Sequence, residues 1–277
     1  DLGMTSIGDN YFIHGEGKKD KVSPIITGFK LNNTIQKVPN RCLNREARFY
    51  ATIGFIGKGY VENTGSIHYA DYRANMVDGY LQSARPSIRT GYQIVKWIND
   101  EDQNAAGSFD KQYPVFRMAE IYLSYAEALN ELDGSYDIPS WDGSAMYTLR
   151  RDVNELKKGI QPVRIRAGVP DYTSSEYQNK EMFRKKLKRE RQIEFMGENH
   201  RYYDLRRWKD APQEEETLIY GCNMLMDEAH RDLFHTPVAI MSLPVRFVEK
   251  SYFWPFSHGQ LQRNKRLTQN PGWTYYD

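Results

Sequence analysis

Two charged segments with helical period, in the central part of the chain, most constrain its fold. From Val115 to Leu132, Ile121, Tyr125, Ala128, Leu129 and Leu132 fall on one stripe, with Met118, Tyr122 and Ala126 beside it. Pro114 suits the first turn of this helix, where its missing N–H would be unpaired anyway, and Gly134 ends it. Ala119, Ala126 and Ala128 are small and predict a neighbouring helix at close range. A further helix is expected from about Glu181 to Gly197, with Phe183, Leu187, Phe195 and Met196 supplying its apolar surface. A related segment runs from His200 to Trp208, with Gly197 as the break between them. Before these, residues 135–144 read as a loop and 145–159, around Val153 and Leu156, as a helical stretch broken by Gly159 and Pro162. A short continuation from Arg164 to Ala167 stops at Gly168-Val169-Pro170.

The flanks lack this periodicity. Glycines at 3, 8, 15, 17 and 28, with Pro24 and Pro39, make residues 1–45 irregular. Aromatic and β-branched residues from Arg48 to Ile56 predict a strand that ends at a Gly57-Lys58-Gly59 turn. Residues 60–91 are turn-rich, and a second short strand is expected from Tyr92 to Ile98. Residues 210–250 are mixed, and 253–277, with Pro255, Gly259, Pro271 and Gly272, read as an ordered but irregular wrap. The expected plan is a loop-rich part (1–112), a helical part (113–209) and a loop-rich tail (210–277).

Composition excludes several function classes. Across 277 residues, 38 Lys and Arg face 36 Asp and Glu, a formal charge of +2 that argues against a dedicated nucleic-acid binder. The mean hydropathy of −0.73 and the lack of any apolar run near ~18 residues exclude a membrane-spanning helix. Cys42 and Cys222 cannot build a disulfide framework. The six histidines form no metal-ligand spacing, and no nucleophile elbow, phosphate-binding loop or dinucleotide fingerprint occurs. Neither a metal nor a cofactor is expected. One surplus stands out: 20 Tyr, 12 Phe and 5 Trp, many of them in polar, glycine-containing stretches.

Two carboxylate patterns invite a catalytic reading. Glu120 and Glu127 lie two helical turns apart, about 10 Å along the axis, which is wide for acid–base work on one bond, so ion pairing is the expected role. Glu190, Glu194 and Glu198 repeat every four residues and form a ridge. Arg191, Arg201, Arg206 and Arg207 are available to pair with that ridge or with helix ends, which predicts a partly buried network that specifies packing. Residues 182–209 hold ten Lys and Arg against four acids, but alternation of sign favours an ion-paired face over a nucleic-acid surface.

Six ordered pieces between residues 45 and 273 carry a resemblance. They are Arg45-Glu46-Ala47-Arg48-Phe49-Tyr50-Ala51-Thr52; Thr90-Gly91-Tyr92 with Lys96; and the helix from Phe116 to Ala128. Then come Arg164-Ile165-Arg166-Ala167-Gly168; the set Glu190, Arg191, Glu194, Glu198, Arg201, Asp204, Leu205, Arg207 and Trp208; and Gln269-Asn270-Pro271-Gly272-Trp273. Together they resemble the C-terminal half of the SusD/RagB family of outer-membrane nutrient-binding lipoproteins. One departure is visible, Trp254-Pro255-Phe256-Ser257 standing where relatives carry a more aliphatic Pro-Ile-Pro stretch. The resemblance implies a mainly α fold of tetratricopeptide-like helix pairs, with long ordered loops and a few short strands. It also implies an N-terminal half, with signal peptide and lipid-bearing cysteine, lying upstream of Asp1.

The implied activity is capture without chemistry: an oligosaccharide, or in some branches a peptide, is bound at the cell surface. The nutrient is then passed to a SusC-like TonB-dependent outer-membrane transporter. Under that reading Glu120, Glu127, Arg164, Arg166, Gly168 and the Glu190-to-Trp208 set are scaffold. Ligand contacts are expected on loops, and the aromatic surplus suits sugars, since flat rings meet the C–H face of a pyranose while polar side chains bond its hydroxyls. Tyr60, Tyr69 and Tyr72, with Asn63, Asp71 and Arg73 nearby, are candidate ligand residues, as is Trp141 in the 134–143 loop. The rival readings are peptide capture on the same scaffold, a carboxylate-dependent hydrolase, and a helical scaffold for protein contacts.

Overall fold

A computed structural model of the chain describes residues 22–24, 35–37, 42, 45–61, 67–79, 88–97, 113–241 and 246–274. Its first elements are small. Strands β1 (Val22–Pro24) and β2 (Ile35–Lys37) pair antiparallel. Helix α1 (Ala47–Thr52) then leads into β3 (Ile53–Gly54). The strand expected over 48–56 is therefore mostly helical. Local β propensity loses to tertiary anchoring: the Tyr50 hydroxyl donates to the Cys42 carbonyl at 2.7 Å, and Lys58 Nζ donates to the carbonyls of Tyr50 and Ile53 at 2.6 and 3.0 Å. Strands β4 (Gly59–Val61) and β5 (Ile67–Tyr69) form a hairpin, and β6 (Gln93–Ile94) pairs with β3. The second expected strand, 92–98, is thus two residues long.

Helix α2 (Met118–Glu131) starts four residues after Pro114, which lies outside it. Its buried face is Ala119, Leu123, Ala126, Leu129 and Asn130, whereas Met118, Ile121 and Ala128 are exposed. The expected stripe is rotated, and the reason is close packing. A Cβ added to Gly159 would fall 2.6 Å from the Tyr122 carbonyl oxygen and 2.7 Å from the Ala126 Cβ. The small residues, not the largest, choose the face that meets the next long helix.

Residues 135–150, expected as a loop and the start of a helix, form a β-hairpin. Strands β7 (Ser135–Pro139) and β8 (Met146–Arg150) pair from Ser135↔Arg150 to Pro139↔Met146. Tyr136, Ile138, Tyr147 and Leu149 occupy one face by strand alternation. Helix α3 (Val153–Arg166) begins behind Asp152, whose carboxylate accepts from the Asn154 and Glu155 N–H groups at 2.8 and 3.3 Å. It runs through both Gly159 and Pro162, because Gly159 is where α2 approaches and Pro162 sits on the exposed side. Gly168, at φ +70°, closes it, with the Val169 N–H returning to the Arg164 carbonyl at 3.1 Å.

Helix α4 (Ser174–Gln178) opens with a reciprocal Thr173–Glu176 cap, and α5 (Lys180–Glu194) with Asn179 accepting from the Met182 N–H at 2.9 Å. Gly197 (φ +79°) and Asn199 (φ 63°) turn the chain into α6 (His200–Arg207). Shorter pieces follow: α7 (Ala211–Glu215), β9 (Tyr220–Gly221), α8 (Arg231–Phe234), β10 (Val238–Ala239), paired with β9, and α9 (His258–Arg263).

The main core lies among α2, α3, α4 and α5. Leu123, Leu129, Leu156, Ile160 and Leu187 pack there around Tyr172, Tyr177 and Phe183, whose ring centroids lie 5.4–6.2 Å apart. A second cluster, Ile56, Ala70, Tyr72, Cys222, Met224 and Phe234, joins the β4–β5 region to the β9–α8 region. The architecture is mainly helical, with a few short two-stranded sheets.

Candidate binding site

The helix ends at Glu194, so Glu190 and Glu194 lie on α5 and Glu198 in the turn that follows, and all three carboxylates are answered by cations from distant parts of the chain. Arg48 Nη1 donates to Glu190 at 2.7 Å and to Glu194 at 2.9 Å. Arg164 reaches Glu190 at 2.5 Å, and Arg166 pairs with Glu194. Arg117 bonds Glu194 at 2.6 Å and both oxygens of Glu198 at 2.7 and 2.8 Å, while Lys96 pairs with Glu198. The expected partners are thus corrected: α1, the segment after β6, the start of α2, and α3 supply the charges. Burial pushes the Glu194 and Glu198 carboxyls up, but the cations around them together outweigh it, Arg117, Arg48 and Arg166 at Glu194 and Arg117 and Lys96 at Glu198, and hold both below their ordinary value.

The arginines expected to serve that ridge have other tasks. Arg191 grips Asp204 through two 3.0 Å bonds, joining α5 to α6, and Arg207 Nε adds a third bond to Asp204 at 2.8 Å. Glu127 accepts from Trp208 Nε1 at 2.6 Å and from both Nη groups of Arg207, tying α2 to α6. Arg201 and Arg206 pair with Glu214 and Glu215 on α7 at 2.7 and 3.0 Å. Glu120 lies 3.9 Å from His200 Nε2. Glu127 is thus occupied by donors, whereas Glu120 keeps a partly exposed carboxylate beside His200.

The first group of expected ligand residues is mostly interior. Tyr72 is 2% exposed, a core ring, and Tyr60 and Tyr69 are half-buried. The Tyr60 and Tyr72 hydroxyls meet over Gly54, where an added Cβ would lie 2.5 and 3.2 Å from them, and burial pushes the Tyr60 phenol up to about 12. Arg73 is buried and clamped by Asp71 at 2.5 and 2.9 Å and by Glu228, so it fastens the loop to the α8 region. Asn63 lies outside the described residues. This correction has one cause: a polar loop sequence does not reveal that its rings pack beneath another part of the chain.

Trp141 is different. It stands 98% exposed at the tip of the β7–β8 hairpin. The tip is internally fastened: Asp142 Oδ1 accepts from the Ser140 hydroxyl at 2.6 Å, the Ser144 hydroxyl at 2.8 Å and the Ser144 N–H at 3.1 Å. These bonds pull the Asp142 carboxyl down to about 2. The Ser140 N–H closes the loop onto the Ala145 carbonyl at 2.7 Å. Tyr136, Ile138 and Tyr147 below the tip are also exposed, and sequence reasoning missed them. Their signal was the alternation on either side of Asp142-Gly143. A second missed set is Tyr203, Phe253 and Trp254, exposed on α6 and the tail.

The one thiol–imidazole pair among the described residues is interior. Cys222 Sγ lies 3.7 Å from His235 Nδ1, both are buried, and a Cβ on Gly91 would fall 2.7 Å from the sulfur. Among the described residues no helix is long and apolar enough to cross a membrane, and no group of three His, Cys, Asp or Glu side chains could hold a metal.

A family model described as SusD family matches residues 28–273. The chain belongs to the SusD family. Its fold has the same kinship. A SusD-like protein from Bacteroides fragilis superposes with a TM-score of 0.64 at 28% identity, covering 85% of this chain and 40% of that one. BT4246 superposes with a TM-score of 0.68 at 25% identity, covering 85% of this chain and 38% of that one. The SusD-like protein P25 of Formosa agariphila is 32% identical over 184 residues, 63% of this chain and 30% of that protein. The SusD-family chain described here therefore spans well under half the length of these relatives. The six motif pieces lie inside the matched span, and where the structure describes them they make the buried pairs, caps and clamps that join its elements.

Proposed function

We propose that this chain belongs to a non-catalytic cell-surface protein that captures an oligosaccharide and hands it to a SusC-like TonB-dependent outer-membrane transporter. Family membership supports the class, because SusD-family proteins bind rather than transform their ligands. The observation that carries a glycan is Trp141, an indole held fully open to water on a loop whose polar groups are satisfied by one another. Exposing a Trp this way forgoes roughly 1.5–3 kcal/mol of burial, which a flat partner recovers. An indole face against the C–H side of a pyranose is such a partner's complement, and the exposed rings of Tyr136 and Tyr147 stand on the same hairpin.

Titration calorimetry of the chain against a panel of neutral oligosaccharides, run beside Trp141→Ala, tests this reading. At least one glycan is expected to bind, with affinity about tenfold weaker in the variant and an unchanged thermal midpoint. Equal affinity in both proteins would remove Trp141 from the site. Binding of peptides with no glycan binding would replace the ligand class.

A further inference from the structure

The tail carries a second ring platform, with a charge the hairpin lacks. Trp254 is 73% exposed, and Phe253 and Tyr203 are exposed beside it in sequence or packing. The platform is built in layers. The Trp254 ring lies over Tyr202, centroids 6.3 Å apart and 29° from parallel, and the Arg206 guanidinium sits 3.4 Å from the same Tyr202 ring. Arg206 is in turn fixed by Glu215 at 3.0 Å.

The strap bearing these rings is clamped through its backbone. Gln269 brackets Phe256, accepting from its N–H at 2.8 Å and donating to its carbonyl at 3.0 Å. Asn270 Nδ2 donates to the Trp254 carbonyl at 2.6 Å, and Trp273 Nε1 to the carbonyls of Lys250 and Phe253, each at 2.9 Å. Three side chains of the Gln269-to-Trp273 ending thus satisfy the main chain of a segment whose Phe253 and Trp254 rings stay exposed.

Between the strap and its clamp the chain passes through α9, seated by the buried Leu261, and then a short loop. Arg263, Lys265 and Arg266 are exposed there and make no ion pair. Residues 246–274 contain five Lys and Arg and a single acid, Glu249, in a chain whose formal charge is only +2. Elsewhere the described arginines mostly face carboxylates, so the exposed trio Arg263, Lys265 and Arg266 stands out.

We infer that the Trp254 platform and the Arg263, Lys265 and Arg266 group form a subsite for an acidic glycan, one carrying carboxylate or sulfate groups along its sugars. The rings receive the apolar faces of the sugars, and the cations receive the anions that repeat along the polymer. The inference rests on the glycan-capture reading above and specifies the class of sugar.

The test uses four probes on the intact chain: oligogalacturonate, a dextran sulfate oligosaccharide, neutral dextran of matching length, and phosphatidylglycerol vesicles. Trp254→Ala and the triple variant Arg263→Gln, Lys265→Gln, Arg266→Gln are compared with the parent, with circular dichroism as the fold control. At least one acidic oligosaccharide is expected to bind well above neutral dextran and to bind about tenfold less to Trp254→Ala. In the triple variant the residual binding loses its salt dependence, measured up to about 1 M, where the screening length is ~3 Å. Which of the two acidic probes binds distinguishes carboxylate from sulfate recognition. No acidic binding, equal binding of neutral dextran, or unchanged affinity in both variants would overturn the subsite. Binding confined to vesicles would also overturn it and reassign the surface to anionic lipid. Glycan binding that Trp141→Ala abolishes and the tail variants leave intact would reject this inference while leaving the capture reading in place.

Discussion

At the scale of single residues, Glu194 shows what the acidic motif is for. Its carboxylate is 2% exposed and receives Arg48, Arg117 and Arg166. Removing one member of a buried charge set leaves the others desolvated and unanswered. Glu194→Gln is expected to lower unfolding free energy by about 3 kcal/mol, read from urea midpoints. The same bonds set an acid limit. Glu194 and Glu198 have folded-state pKa values below the unfolded value, so the unfolded chain takes up protons first as pH falls. Their stabilisation is full above the ordinary value of 4.5 and is lost as pH drops through the depressed folded values. Thermal midpoints are expected to fall on that side, with a shallower fall in Glu198→Gln. Lys58 adds a second rise with pH, in an alkaline window. Burial lowers its amine from 10.5 to about 8, so between those values the unfolded chain binds more protons and stability rises with pH. A Lys58→Met variant is expected to lose that rise.

At the scale of elements, the α2–α3 contact depends on the absence of a side chain. Gly159→Ala places a methyl group within 2.7 Å of Ala126 and of the Tyr122 carbonyl, and should cost about 1–3 kcal/mol by overpacking. Denaturant melts measure it, and a neutral result would mean that the two helices can separate freely. Long helices were readable because period and caps agreed: α5 and α6 fall where apolar spacing and Gly197 put them. The α2 face was misjudged because periodicity weights large residues, whereas the approach at Gly159 selects Ala119 and Ala126. Two short elements were not readable at all. Helix α1 is fastened through Tyr50, whose hydroxyl reaches Cys42 and whose carbonyl accepts from Lys58, and aromatic-rich sequence there reads as strand. The 135–150 hairpin was hidden because Ser140 to Ser144 resembles any polar loop until Asp142 is seen to organise it.

At the scale of the whole molecule, charge pairs from Arg48 and Lys96 join the loop-rich N-terminal part to the end of α5, beside the apolar cluster that ties Ile56 and Tyr72 to Phe234 of α8. Arg48 and Lys96 reach α5 across 142 and 98 residues of sequence, closing long loops onto its end. Arg48→Met should therefore speed hydrogen exchange in α1 and β3 while leaving α2 and α3 protected, a local loss and not a global one. Uniform acceleration would contradict that division. The proposed ligand surface was the least legible part of the sequence. Tyr60, Tyr69 and Tyr72 were attractive because their neighbours are polar, yet those neighbours, Asp71 and Arg73, are the clamp that holds the loop down. Trp141 and Trp254 differ from them only in what the surrounding backbone does, which no residue pattern records.

The central claim is that this molecule holds a glycan without cleaving it. The direct measurement incubates the chain with whichever oligosaccharide it binds, follows reducing ends over time, and recovers the bound ligand. The account predicts saturable binding, recovery of the glycan at its original length, and reducing ends no higher than in a protein-free control. Steady production of new reducing ends, abolished in Glu120→Gln or Glu127→Gln of intact fold, would contradict it.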